Sequence, residues 1–170
     1  TKDFKIIHSR TNHWEICDTP CFMDICRSEQ LQAKFTDLFD TEHRYKLCLV
    51  VQPLNLSPRT YTQTLVQILE SIPANYTYSI IVNNCPLEFF SPSDRAEKIR
   101  TDYVSETKQI LSHYCSPNQY RAPESFIFLP SSQNLSYCSP SICRCIREMK
   151  SNQFDLMVPM KIYTQSLQIF

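Results

Sequence analysis

The 170-residue chain contains no glycine, where about 7% is usual. Glycine lets a backbone approach a phosphate closely or take positive φ without strain, so P-loops, G-x-G-x-x-G turns and G-x-S-x-G elbows are excluded. An excess of charge of either sign is also lacking: 17 Lys and Arg balance 17 Asp and Glu, and no two basic residues are adjacent. The long-range positive field that gathers nucleic acid or anionic lipid is therefore absent, and no nucleic-acid partner is expected. Long apolar runs are missing as well. Leu47 to Val51 is the longest, far short of the roughly 20 residues that span a bilayer, so no direct membrane insertion is expected.

Cysteine is abundant: Cys17, Cys21, Cys26, Cys48, Cys85, Cys115, Cys138, Cys143 and Cys145, nine in all. The chain also carries N-x-S/T sequons at Asn55, Asn75 and Asn134. Together these favour an oxidising compartment, placing the protein outside the cell, in the secretory lumen, or on a virion or cell surface. Pro58 follows the Asn55 sequon and hinders glycan transfer, leaving Asn75 and Asn134 as the better acceptors. The cysteines expected to form disulfides are Cys17, Cys21, Cys26, Cys85, Cys115, Cys138, Cys143 and Cys145. Cys48, inside a buried strand, is the expected inert thiol. Because nine is odd, one thiol stays free or bonds to another chain, which admits a covalent as well as a non-covalent oligomer.

Four short apolar runs, Tyr45 to Val51, Tyr78 to Val82, Ser125 to Leu129 and Phe154 to Val158, are continuous rather than alternating and predict strands buried on both faces. Segments of helical period lie between them. Ser57-Pro58 predicts an N-cap with proline at the first helical position, followed by Tyr61, Leu65, Ile68 and Ile72 on one face. Ser93 caps a helix through about Tyr114 with Ile99, Tyr103, Ile110 and Leu111 inward. Ser28 opens a helix with Leu31, Phe35 and Leu38, and Ser139-Pro140 opens one with Ile142, Ile146 and Met149. This alternation asks for a mostly parallel sheet with right-handed crossovers and helices on both faces. The expected fold is a single three-layer α/β domain of Rossmann-like type, stapled by disulfides. Residues 1–44 form a cysteine-containing N-terminal segment with one helix, packed on a core domain of residues 45–170.

Several side-chain sets invite chemistry. His13, Cys17, Cys21 and Cys26 suffice for tetrahedral zinc, but their spacing is looser than the usual C-x2-C pairs, so disulfides are favoured over metal. A cysteine nucleophile at Cys85 needs a histidine, with His8, His13, His43 and His113 available; a structural or bonded Cys85 is the preferred reading. Glu97, Asp102 and Glu106 interleave with Arg95, Lys98, Arg100 and Lys108 as on a solvated helix face. Phe89, Phe90, Tyr103, Phe126 and Phe128 read as core, with Phe89-Phe90 also considered as an exposed contact patch, like the loop from Asn118 to Arg121.

The stretch CLVVQPLNLSPRTYTQTLVQILESI, followed by YSIIVNN, resembles the opening of family 2-type inverting glycosyltransferases of the GT-A fold. QNLSYCSPSICRCIREM followed by FDLMVPM resembles the lead into that family's metal-binding Asp-x-Asp, so the likeness spans residues 45 to 161. It implies a GT-A-like sheet and nucleotide-side positions at Pro53, Asn55, Asn83 and Asn84, although turn chemistry accounts for each of these too. Where the family has Asp-x-Asp, this chain has Pro159-Met160-Lys161, and Ser136, Tyr137 and Ser139 replace its glycines. No catalytic residue and no cofactor is therefore expected. The expectation is a secreted or envelope-type domain, such as a viral or parasite surface protein, that binds a protein or glycan without catalysis. The alternatives are an active nucleotide-sugar-dependent glycosyltransferase and a zinc-stapled intracellular interaction module.

Overall fold

Strands β4 (Leu47–Val51), β5 (Tyr78–Cys85) and β6 (Phe126–Pro130) form a three-stranded parallel sheet with β5 in the centre, seen in a computed structural model. The structure describes residues 5–8, 15–19, 28–37, 44–52, 58–72, 74–118, 120–130 and 144–153. Ahead of the sheet, β1 (Lys5–His8) pairs antiparallel with β2 (Glu15–Asp18), α1 covers Glu29–Asp37, and β3 covers Arg44–Tyr45. Helix α2 (Arg59–Ser71) joins β4 to β5, and α3 (Asp94–Tyr114) joins β5 to β6 after a short 3-10 turn at Leu87–Phe89. The chain is thus an α/β protein with a parallel sheet.

Alternation along β5 sends Tyr78, Ile80 and Val82 to one face. Leu65 and Leu69 of α2, Tyr103 and Leu111 of α3, and Val51 of β4 share one buried cluster with them. Both helices therefore lie on the same face of the sheet, as two successive crossovers of one hand require when the strand order runs straight across. The buried stripe of α2 rotates from the expected one: Thr62, Leu65 and Leu69 are buried, while Tyr61, Ile68 and Ile72 flank them half-buried. Pro58 has helical dihedrals, and its carbonyl accepts from the Thr62 hydroxyl at 2.7 Å. On α3, Ser93 is the N-cap, its hydroxyl accepting from the Ala96 N–H at 3.4 Å. The buried face there is Ala96, Tyr103, Thr107 and Leu111.

The opposite face, lined by Lys46 and Cys48, meets residues 144–149. Residues 144–148 are helical, and the Lys46 ammonium donates to the carbonyls of Ile146 and Arg147 at 2.7 and 2.8 Å. A lysine there satisfies carbonyls left open by the helix end and complements its negative pole. The chain then turns into β7 (Asn152–Gln153), which pairs antiparallel with β3. Buried Asn152 extends that pairing through its side chain. Its Oδ1 accepts from the Thr77 N–H at 2.7 Å and its Nδ2 donates to the Thr77 carbonyl at 2.8 Å, copying the reciprocal bonds of a neighbouring strand. The expected strand Phe154 to Val158 and the Ser139-Pro140 cap lie outside the described residues.

The disulfide expectation is corrected where the structure describes it. Cys17, Cys48, Cys85, Cys115 and Cys145 are all free thiols. Cys85 and Cys115 share the core yet cannot meet. Cys85 ends β5, whereas Cys115 lies beside Tyr78 at its start, and that strand is about 23 Å long, against a disulfide Cα separation of about 4.4–6.8 Å. Cys21, Cys26, Cys138 and Cys143 lie outside the described residues.

Asn152→Ala is expected to lower the unfolding free energy by about 1–3 kcal/mol, since both Thr77 backbone groups lose their partner. The nearly isosteric Asn152→Asp should also destabilise, because a carboxylate donates nothing to the Thr77 carbonyl. Urea denaturation of the two variants measures this.

Candidate functional site

In parallel α/β sheets, ligands bind beyond the carboxyl ends of the strands. Here that edge comprises Val51 at the end of β4 and Gln52 after it, Asn83 to Cys85 at the end of β5 with Pro86 following, and Leu129-Pro130 on β6. Its shape follows from a register shift. Val82 pairs with Phe128 and Cys85 with Pro130, so Asn83 and Asn84 together oppose the single residue Leu129. This is a β-bulge. Strict alternation after Val82 would turn residue 84 into the core and residue 85 out to solvent. The extra residue reverses that outcome: Cys85 is buried and Asn84 is exposed.

Asn84 takes φ 61°, the only positive φ among the described residues. The left-handed conformation costs roughly 1–2 kcal/mol for most residues, and asparagine bears it best after glycine. Its N–H donates to the Asn83 Oδ1 at 2.9 Å, which folds the Asn83 carboxamide over the bulge. In a chain without glycine, Asn-Asn supplies the turn. Asn83 and Asn84, expected from sequence at a binding edge, are brought together there, half-buried and exposed respectively. Pro53 and Asn55 lie outside the described residues.

The Cys85 thiol points inward and donates to the Val82 carbonyl at 3.2 Å. Burial pushes its pKa up from 9.0 to about 11, only partly offset by a hydrogen bond from the Leu129 backbone. It is a protonated core thiol and is poorly disposed to act as a nucleophile. Beneath it, Phe89, Tyr103 and Phe128 pack as a trio with ring centroids 5.5–6.2 Å apart. Phe89 is fully buried and Phe90 half-buried, which corrects the contact-patch expectation; the exposed apolar residue of that turn is Leu87, 67% accessible. Arg100, expected on the solvated face of α3, is half-buried and donates to the Phe89 carbonyl, fastening the turn to the helix. The hydroxyls of Tyr61 and Tyr103 touch between α2 and α3, and burial raises both their pKa values.

The edge thus offers exposed carboxamides at Gln52 and Asn84, the exposed residues Pro86, Leu87 and Glu88, and no free basic group among these. Carboxamides both donate and accept hydrogen bonds, and Leu87 adds an apolar surface beside them. Of the possible zinc ligands His13, Cys17, Cys21 and Cys26, only Cys17 is described, exposed on β2. Among the described residues no three His, Cys, Asp or Glu side chains are grouped to hold a metal. Asn75 is exposed in the turn before β5, while Asn134 lies outside the described residues. In the other loop singled out from sequence, Asn118 and Arg121 are exposed and Tyr120 is half-buried, its hydroxyl reaching the Lys108 carbonyl. No helix among the described residues is long and apolar enough to cross a membrane. No family model, curated protein or solved structure matches the chain.

Two outcomes are expected. Asn84→Val should destabilise by about 1–2 kcal/mol while Asn84→Gly is neutral or stabilising, as chemical denaturation will read. Cys85 and Cys115 each hold their proton to about pH 11 when folded, against 9.0 for the ordinary thiol. Their contribution is therefore complete below pH 9 and lost as pH rises toward 11. Urea midpoints across that window should fall less steeply for the Cys85→Ala/Cys115→Ala double variant than for the parent.

Proposed function

We propose that this chain is a secreted or envelope-type, non-catalytic binding domain on a degenerate GT-A-like sheet, presenting the carboxyl edge of that sheet to a protein or glycan partner. The observation that carries the reading is the bulge at Asn83-Asn84. It turns the one nucleophile of the edge into the core and an amide out to solvent, leaving a hydrogen-bonding rim that carries no basic group, beside exposed Leu87 and Glu88. Carboxamides of this kind pair with sugar hydroxyls or peptide groups through both donor and acceptor. The compartment is supported by the nine cysteines and by Asn75, whose sequon Asn75-Tyr76-Thr77 begins in an exposed turn. Any disulfide stapling falls on Cys21, Cys26, Cys138 and Cys143, with Cys85 and Cys115 kept as core thiols.

Non-reducing peptide mass spectrometry of protein from its native source tests the compartment. A glycan at Asn75 together with unbonded Cys85 and Cys115 is expected; bare sequons with nine free thiols would overturn it and favour an intracellular module. Melting with UDP- and GDP-sugars tests the chemistry. No shift and no sugar transfer are expected. A raised melting temperature that Asn83→Ala or Asn84→Gly abolishes would establish the nucleotide-sugar site instead.

A further inference from the structure

The face of the sheet turned away from α2 and α3 carries a set of sulfur donors that the edge site does not use. Cys48 on β4 places its Sγ 3.7 Å from the Sδ of Met149. Cys145 stands one helical turn before Met149, joined to it by the bond from the Met149 N–H to the Cys145 carbonyl at 3.1 Å. Residues four apart on a helix leave the same face. That face is turned inward: Met149 is buried and Cys145 and Ile146 are half-buried, whereas Arg144, Arg147 and Glu148 are exposed.

We propose that Cys48, Cys145 and Met149 form a binding site for one soft d10 cation, Cu(I). Thiolate and thioether donors select such an ion, which accepts sulfur-only ligand sets. Two sulfurs bound to one metal at about 2.3 Å stand about 3.8–4.0 Å apart in tetrahedral or trigonal geometry, and Cys48 and Met149 are already at 3.7 Å. Structural zinc takes four ligands, usually cysteine and histidine, and no group of three His, Cys, Asp or Glu side chains occurs among the described residues. Binding replaces two thiol protons, released to solvent, with one monovalent cation, so the complex carries one net negative charge. Lys46 lies on the same side of β4 as Cys48, with its ammonium on the Ile146 and Arg147 carbonyls. It holds the helix end against the strand and brings a compensating positive charge to this interface. The bound ion would clamp residues 145–149 to the first strand of the sheet.

The test uses the full chain, reduced and anaerobic, with one equivalent of Cu(I) supplied as its acetonitrile complex. Timed labelling with N-ethylmaleimide is then read cysteine by cysteine in a peptide digest. Cys48 and Cys145 are expected to label at least roughly tenfold more slowly with the metal than without it, while Cys17 is unchanged. Met149→Leu, close in volume, should keep the metal-free melting temperature and lose most of that protection. Cys145→Ser, at a half-exposed position, should abolish the protection of Cys48. Equal labelling rates with and without Cu(I), protection confined to other cysteines, or equal protection by one equivalent of Zn(II) would overturn the proposal.

Discussion

Tyr78, Ile80 and Val82 of the central strand are covered by two helices that cross the same face of the sheet, and the other features of the fold are arranged around that contact. Full burial of such side chains stabilises by about 1.5–3 kcal/mol each, and all three are almost wholly inaccessible. Their alternation decides which face of β5 meets α2 and α3, and the register shift after Val82 sets how β5 emerges at its carboxyl edge. The candidate binding rim is positioned by that edge. The Phe89–Tyr103–Phe128 trio continues the same core beneath it and holds the following turn in place.

The lack of glycine acts on this framework at the places where a chain must turn. Helices α2 and α3 both end on a residue in extended conformation, Ile72 and Cys115, whose N–H still bonds the carbonyl four residues earlier. Neither uses the left-handed C-terminal cap for which glycine is the usual residue. The helical residues 144–148 have Lys46 on their last carbonyls. Where a positive φ occurs, at the bulge, asparagine takes it. The same substitution that solves a backbone problem leaves a carboxamide exposed at the rim, so the polarity of the candidate site follows from the chain's composition.

Much of the α/β framework was legible in the sequence because it depends on local pattern. The apolar runs read as Tyr45 to Val51, Tyr78 to Val82 and Ser125 to Leu129, the Ser93 cap and the periodicity of α2 and α3 mark their elements, although Tyr45 belongs to β3 and the sheet strand begins at Leu47. The helix stripes were legible only to within one position, since Ile68 and Leu69, or Ile110 and Leu111, are equally apolar and tertiary packing selects between them. The antiparallel pairs β1–β2 and β3–β7 were missed because strands of two to four residues carry too little periodicity to register. Asn152 gave no signal either: its importance lies in a reciprocal bond to Thr77, 75 residues away.

Cysteine marks the boundary most clearly. Composition and sequons bear on compartment, but the pairing of thiols depends on distance, and distance is a property of the folded chain. Cys85 and Cys115 are kept apart by the length of β5, while Cys48 and Met149 are brought into contact although 101 residues separate them. By itself the sequence determined the alternation of strands and helices, the exclusion of glycine-dependent sites and the residue types at the carboxyl edge, because each follows from local propensity or composition. Only the tertiary structure decided which residue of the Asn83-Asn84-Cys85 run faces solvent. A one-residue register shift against β6 sets that direction, and the shift exists only once the two strands have paired.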